Sequence, residues 1–421
     1  MKTVIMAGGK GTRISAIANN VPKPMIKIAG KPILEHEIRC LKEQGFTDII
    51  ITVSYLGNII MDYFGDGKNF GVNISYYYEK EPLGNAGALF KIKDQLTDVF
   101  LLLNADAVFN IDFNRFVNYH YHKGGLATLF THPNSHPYDS GLLITDKTNC
   151  VLKWLTKDET RPKYYKNRVN AGIHVLDKRI LDVEIKTEKI DLDKQLLKPL
   201  AGSGQVYCYD SPEYVKDMGT PERYYEVIDD FKNGIIESRN LIYKQKAIFL
   251  DRDGTINRYV GFLTDINEFK LNDDVAKAIA KINNKGYLAI VITNQPVVAR
   301  GEISIEELNE IHNKMETLLG KEGAYINAIY YCPHHPDKGY EGEVKKYKIK
   351  CNCRKPKAGM LLQAAKEYNI DLSKSWMIGD SENDIKAGKN AGCSTCLIGS
   401  EEYGQNITCN SLYEFVNKYV R

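Results

Sequence analysis

At 421 residues the chain exceeds the roughly 250–300 at which a single core stops growing, so two domains are expected. Its 56 Lys and Arg against 53 Asp and Glu leave a net charge of +3, spread too thinly for broad electrostatic binding of nucleic acid or an anionic membrane. A hydrophobic share of 43% with 26% charged residues is that of an ordinary folded chain; no stretch approaches the ~20 apolar residues of a membrane span, and the opening MKTVIMAGG is too short an apolar run for a signal peptide, so a cytoplasmic protein is expected.

Strand and helix patterns alternate along the chain, as parallel sheets covered by helices require, so the fold class is α/β. Strands are predicted at 3–6, 48–53, 99–103, 247–250, 288–292 and 375–378. Several end at a glycine-rich turn or an aspartate, where open α/β sheets place ligands. A helix predicted over 222–233 closes a first domain over 1–234. Residues 235–245 lack a turn-rich flexible signature and read as a short, stiff connector to a second domain over 246–421. No repeat is visible and the halves open on different motifs, so the chain reads as a fusion rather than a duplication.

The first strand runs into GGKGTR, where Gly8, Gly9 and Gly11 lack side chains that would keep backbone N–H groups from a phosphate chain. Thr12 lies in the same loop, and Arg13 can grip phosphate with two parallel hydrogen bonds. Pro22 and Pro24 hold Lys23 in an extended segment, giving a second cation a restrained approach to the same anion. Alone, GGKGTR would also suit a plain glycine turn with solvated cations; with PKPM at this spacing, phosphate binding is the better reading.

PLGNAGAL at 82–89, NAD at 104–106, VNAGI at 169–173 and KDMGTPERY at 216–224 follow in order. With these motifs, residues 1 to about 235 resemble the sugar 1-phosphate nucleotidylyltransferases, implying a Rossmann-like N-terminal domain. The resemblance implies that Arg13 and Lys23 polarise a triphosphate, that Gly84 and Asn85 contact the base, that Asn170, Ala171 and Gly172 meet the sugar, and that Asp106 and Asp217 hold magnesium. Cations suit such a reaction because attack of a sugar phosphate on the α-phosphorus brings two anions together. Taken singly, Asp106 reads equally as a capping residue and Asp217 as a solvated loop carboxylate. The sequence departs from the family at Ile14–Ile17, in place of Leu-x-Pro-Leu, and in lacking a Glu–Lys pair before VNAGI, where only Lys157 is on offer. The sugar-phosphate contact is therefore unassigned.

The second strand-end motif is DRDGT, which places Asp251 and Asp253 two apart after an apolar strand, on one face if the backbone stays extended. Asp251 suits a carboxylate nucleophile and Asp253 a general acid and base, although an Asp-rich turn has the same composition. Of the nine cysteines, Cys40, Cys150, Cys208 and Cys409 are scattered as unpaired thiols would be in a reducing compartment. Cys332, His334, Cys351 and Cys353 instead form a tetrahedral ligand set.

From about residue 246 to 400 the chain resembles the haloacid dehalogenase superfamily of phosphatases, implying a second Rossmannoid domain. The resemblance assigns Thr293 and Asn294 to the phosphate, Lys355 to charge balance, and Asp251, Asp253 and Asp380 to magnesium, with Asp384 in support. The zinc-binding loop followed by Arg354 narrows this to the heptose bisphosphate phosphatases, with zinc structural and Arg354 placed to grip a second phosphate. TNQPVVARG departs from that group at Pro296 and Val297. Together the resemblances imply one chain that converts D-glycero-D-manno-heptose 1,7-bisphosphate to the 1-phosphate and couples it to GTP as the α-anomer, forming GDP-heptose and pyrophosphate. The expected partners are these small molecules, with no nucleic acid or membrane; a homo-oligomer is left open. The alternatives are the same reactions on mannose or another hexose, or one half serving as a binding or regulatory module.

Overall fold

The computed structural model describes residues 1–9, 17 and 21–420, the side chain of residue 139 excepted. Its described residues include no helix long and apolar enough to cross a membrane. The chain divides into two compact units. One comprises residues 1–132, 141–155 and 170–240; the other comprises 241–421 together with 133–140 and 156–169.

The first unit is built on a nine-stranded mixed sheet. Its central strand, Lys2–Met6, pairs in parallel with Asp48–Val53 on one side and Val99–Asn104 on the other. These strands are nearly continuous runs of Val, Ile and Leu because both faces of the sheet are covered. The alternation of strand side chains divides them between two cores. Ile5, Ile49, Ile51, Leu101 and Leu103 lie in one, and Val4, Ile50, Phe100 and Leu102 in the other. The antiparallel strand Val169–Asp177 extends the sheet beside Val99–Asn104.

The second unit holds a six-stranded sheet, parallel throughout, in the order 328–332, 288–294, 247–250, 376–379, 394–398, 407–409. The strand predicted at 288–292 runs on to Asn294, and that predicted at 375–378 is Trp376–Gly379. The helix predicted over 222–233 is Pro221–Lys232, started by Pro221 and by the Thr220 hydroxyl, which accepts from Arg223 N. Residues 235–245 contain a one-turn helix, Ile235–Ser238. Arg239 anchors that stretch by donating to Pro212 O at 3.0 and 2.7 Å, and Asn369 Nδ2 donates to the carbonyls of residues 241, 242 and 243.

Candidate active sites

In the first unit, the strand Lys2–Met6 delivers Ala7, Gly8 and Gly9 to the C-terminal edge of the sheet. A cleft of about 530 Å³ opens there, bringing together Gly8, Gly9, Lys23, Gly84, Asn85 and Asp106. Gly11, Thr12 and Arg13 lie outside the described residues. Pro22 leads into the 3-10 turn Lys23–Met25, which buries Lys23 and aims its Nζ at Asp106 Oδ2, 2.9 Å away. Asp217 ends a strand paired antiparallel with Ala107–Asn110, and Met218 N donates to Asp106 O at 3.1 Å, so Asp217 lies beside the turn that carries Asp106 into that neighbouring strand. Burial pushes the Asp217 carboxyl up, but the Arg223 guanidinium at 2.6 Å outweighs it, and the carboxylate is held below its usual range. Two carboxylates backed by cations suit a divalent ion arriving on a phosphate chain.

Asn85 braces the cleft wall by accepting from Leu192 N at 2.7 Å. Asn170, Ala171 and Gly172 do not line the cleft themselves, but Gly172 presses on Asn104, which does. Gly172 has φ of +72°, and a Cβ there would stand 2.3 Å from Asn104 Nδ2, so glycine is required on both counts. Thr52, Ser54, Glu79 and Lys189 also line the cleft without belonging to any motif. Ser54 and Glu79 directly follow strands, a position that would have nominated them. Lys189 supplies the cleft with a cation, and Lys157 is not among its lining residues.

In the second unit, Asp251, Asn294 and Asp380 stand at the C-terminal ends of three adjacent parallel strands. Lys355 is inserted among them. Its Nζ donates to Asp251 Oδ1 at 2.6 Å, Asp384 Oδ1 at 2.5 Å and Ile292 O at 2.8 Å. Asn294 fixes this lysine by exchanging two hydrogen bonds with its backbone, each 3.0 Å. Thr293, almost fully buried, accepts from Gln295 Nε2 at 2.9 Å. Asp251, Asp380 and Asp384 can bring carboxylate oxygens within 4.8 Å of one another. Burial raises Asp251, with Asp384 and Asp253 adding to the effect against Lys355; burial and Asp384 push Asp380 up to about 6. Carboxylates crowded in this way fit a divalent cation, which would offset their repulsion. Gly254, at φ +86°, makes room for them: a Cβ there would fall 1.9 Å from Asp380 Oδ2.

The structure does not bring Asp253 into that cluster. The strand ends at Leu250, and the Asp253 carboxylate is instead held by Arg252 Nη2 at 2.8 and 2.9 Å, Gln295 Nε2 at 2.8 Å and Asn257 Nδ2 at 3.1 Å. Arg252, wholly buried, was not singled out from sequence, since nothing distinguishes it from a solvated arginine inside the motif.

Cys332, His334, Cys351 and Cys353 converge as a group of four donors. Cys353 Sγ lies 3.2 Å from the Sγ atoms of both Cys332 and Cys351 and 3.3 Å from His334 Nδ1. Four such donors fit a tetrahedral zinc with no open position. Arg354 follows at once, donating to His334 O at 3.2 Å.

A family model described as nucleotidyl transferase matches residues 2–234, and one described as HAD-hydrolase-like matches 352–410. The D-glycero-beta-D-manno-heptose-1,7-bisphosphate 7-phosphatase of Haemophilus ducreyi is 39% identical over 181 residues, 41% of this chain and 97% of its own length. The chain belongs to both families. Its transferase half is 30% identical to the probable mannose-1-phosphate guanylyltransferase 2 of Oryza sativa subsp. japonica over 231 residues, 53% of this chain but only 63% of that protein. The transferase fold also matches a putative glucose-1-phosphate thymidylyltransferase of Bacillus anthracis, with a TM-score of 0.50 and 20% identity over 54% of this chain and 94% of that one.

Proposed function

We propose that the two halves catalyse consecutive steps: hydrolysis of the 7-phosphate from D-glycero-D-manno-heptose 1,7-bisphosphate, then transfer of GMP from GTP to the heptose 1-phosphate. The observation that carries the reading is the pairing, in one chain, of a stretch matching the nucleotidyl transferase family with a half that holds the buried Asp251–Lys355–Asp384 cluster and matches a heptose bisphosphate phosphatase over 97% of that relative's length.

In the phosphatase half, the Asp251 carboxylate attacks phosphorus and the bond to the C7 oxygen breaks. Asp253, steadied by Arg252 and Gln295, gives that oxygen its proton. Asp253 then takes a proton from water as the water oxygen attacks the aspartyl phosphate, regenerating Asp251 and releasing inorganic phosphate. Lys355 offsets charge on the transferring group, Thr293 and Asn294 shape its seat, and Arg354 receives the remaining phosphate. Asp251 and Asp380 would hold magnesium, which supplies further neutralisation of phosphoryl oxygens.

In the transferase half, a phosphate oxygen of the heptose 1-phosphate attacks the α-phosphorus of GTP and pyrophosphate leaves. Lys23 and Arg13 offset the accumulating charge, Gly8, Gly9, Gly11 and Thr12 cradle the phosphates, and Gly84 and Asn85 border the base. Lys189 is placed to meet the sugar phosphate. Asp106 and Asp217 would hold the magnesium that accompanies GTP. Zinc on the four-donor set would keep the loop bearing Arg354 and Lys355 in shape.

The test is mass spectrometry of the full chain with magnesium, each anomer of heptose 1,7-bisphosphate, and GTP, ATP, UTP or CTP in parallel. Phosphate in every tube and GDP-heptose only with GTP and the α-anomer is expected. The Haemophilus relative is named for the β-anomer, so product from β alone would correct the anomer and leave the pairing standing. Phosphate release and nucleotide-sugar formation on mannose phosphates alone would replace heptose by a hexose.

A further inference from the structure

We propose that His312, which lies outside every motif of the phosphatase centre, is a positioning residue for phosphate release: through Arg252 it fixes the carboxylate of Asp253. The proposal rests on the reading of Asp253 as the acid and base of that reaction. All three residues belong to the second unit. Asp253 stands apart from the carboxylate cluster around Lys355 and takes its direction from side chains. Arg252 grips it most extensively: Nη2 donates to its two oxygens at 2.9 and 2.8 Å, and Nε donates to Oδ1 at 3.2 Å. Nη2 also donates to Gln295 Oε1 at 3.1 Å. A guanidinium is a rigid planar fork, so an acceptor on its remaining nitrogen fixes the rotation of the whole group. That nitrogen, Nη1, meets one acceptor among the described residues, His312 Nε2 at 3.3 Å.

The helix Ile305–Lys321 turns Leu308, Ile311, Met315 and Leu319 to the core of the unit. His312 falls on the same stripe, four residues after Leu308 and three before Met315. A leucine there would complete the apolar pattern, whereas an imidazole only 5% exposed needs a polar partner. Its partner is the wholly buried Arg252. Because a guanidinium only donates, Nε2 accepts and the ring proton sits on Nδ1. Burial and the Arg252 charge hold the ring well below its ordinary range, so it stays neutral and keeps the accepting lone pair. The ring of Tyr331, its centroid 5.6 Å away, packs beside it. Without this acceptor a buried N–H of Arg252 is left unpaired, and a guanidinium that turns to find another partner takes Nε and Nη2 off Asp253. A displacement of about 1 Å in a positioned catalytic group can cost up to a hundredfold.

The experiment uses the full chain with magnesium and heptose 1,7-bisphosphate. It compares the parent with His312→Leu, which keeps the apolar stripe but offers no acceptor, and with His312→Gln, whose amide oxygen can stand in for Nε2. Read are kcat and KM for phosphate release, with the melting temperature and nucleotidyl transfer to supplied heptose 1-phosphate as controls for folding. Expected is a fall of roughly tenfold in kcat for His312→Leu with KM changed less than about threefold, and a kcat within about threefold of the parent for His312→Gln. In Asp253→Asn, itself about 10²–10⁴ below the parent, adding His312→Leu should lower phosphate release by less than about twofold. A kcat within about twofold of the parent in a folded His312→Leu would overturn the proposal. So would a His312→Gln no better than His312→Leu, or a further loss of about tenfold on top of Asp253→Asn, which would place the action of His312 elsewhere. Asp253→Asn alone separates the layers: if it leaves phosphate release intact, the acid–base reading itself falls, whereas its loss beside an unchanged His312→Leu removes the positioning role alone.

Discussion

Replacing Lys355 by Met removes the only cation contacting Asp251 and Asp384 among the described residues, and does so where water cannot substitute, since the lysine side chain is 3% exposed. The methionine retains the aliphatic stem, so the change is chiefly one of charge and hydrogen bonding. Three acceptors lose their partner: Asp251 Oδ1, Asp384 Oδ1 and Ile292 O. Breaking a buried ion pair on one side typically costs about 3–5 kcal/mol. For a domain of roughly 150–250 residues each kcal/mol lowers the melting temperature by about 2–4 °C, so a fall of roughly 6–20 °C is expected for the second unit's transition. Phosphate release should also drop by about 10²–10³, as when a preorganised charge at a transition state is lost. Calorimetry without and with magnesium, alongside a phosphate-release assay, measures both. Lys355→Met with a melting temperature within about 2 °C of the parent and phosphate release within tenfold would refute the view that this lysine neutralises the buried carboxylates.

Gly172→Ala, forced to φ +72° with its Cβ against Asn104, should depress nucleotidyl transfer while leaving phosphate release intact; equal loss of both in kinetic assays would argue for a global defect. Elemental analysis of the purified chain should find about one zinc per chain, and Cys353→Ser should lower both that occupancy and the melting temperature. His174, 1% exposed with neither ring nitrogen hydrogen-bonded among the described residues, has its pKa pushed down to about 3 by burial. The unfolded chain protonates it from about pH 6.5 downward and the folded chain does not, so stability is lost as pH falls, by about 2 kcal/mol at pH 5. His174→Leu should remove that part of the difference between urea unfolding curves at pH 7.5 and pH 5; an unchanged difference would contradict the burial argument.

The strands that carry both sites were legible because their apolar runs end at glycine or aspartate. Asp251 could therefore be placed from pattern, Lys23 from the prolines that flank it, and Asp380 through the family resemblance. Less legible were contacts that exist only when distant elements meet. Asp384 was expected to support a metal, but its bond to Lys355 depends on a lysine 29 residues earlier. Arg252, adjacent to two singled-out aspartates, gives no sign in the sequence that it is wholly buried. Residues 133–140 and 156–169 are polar, without strand or helix period, so linear position assigned them to the first half. What places them in the second unit is the face formed by Glu316, Thr317 and Gly320, spaced too closely to stand out in a linear reading.

The central claim is that one chain runs two separable reactions in order. It is tested most directly by following phosphate, pyrophosphate, heptose 1-phosphate and GDP-heptose by 31P NMR in the parent, Asp251→Asn and Lys23→Ala, each supplied with GTP, magnesium and either the bisphosphate or the 1-phosphate. The account predicts that Asp251→Asn makes GDP-heptose from the 1-phosphate but nothing from the bisphosphate, and that Lys23→Ala converts the bisphosphate to heptose 1-phosphate and stops there. Loss of both activities in either single variant, or GDP-heptose formed from the bisphosphate by Asp251→Asn, would contradict it.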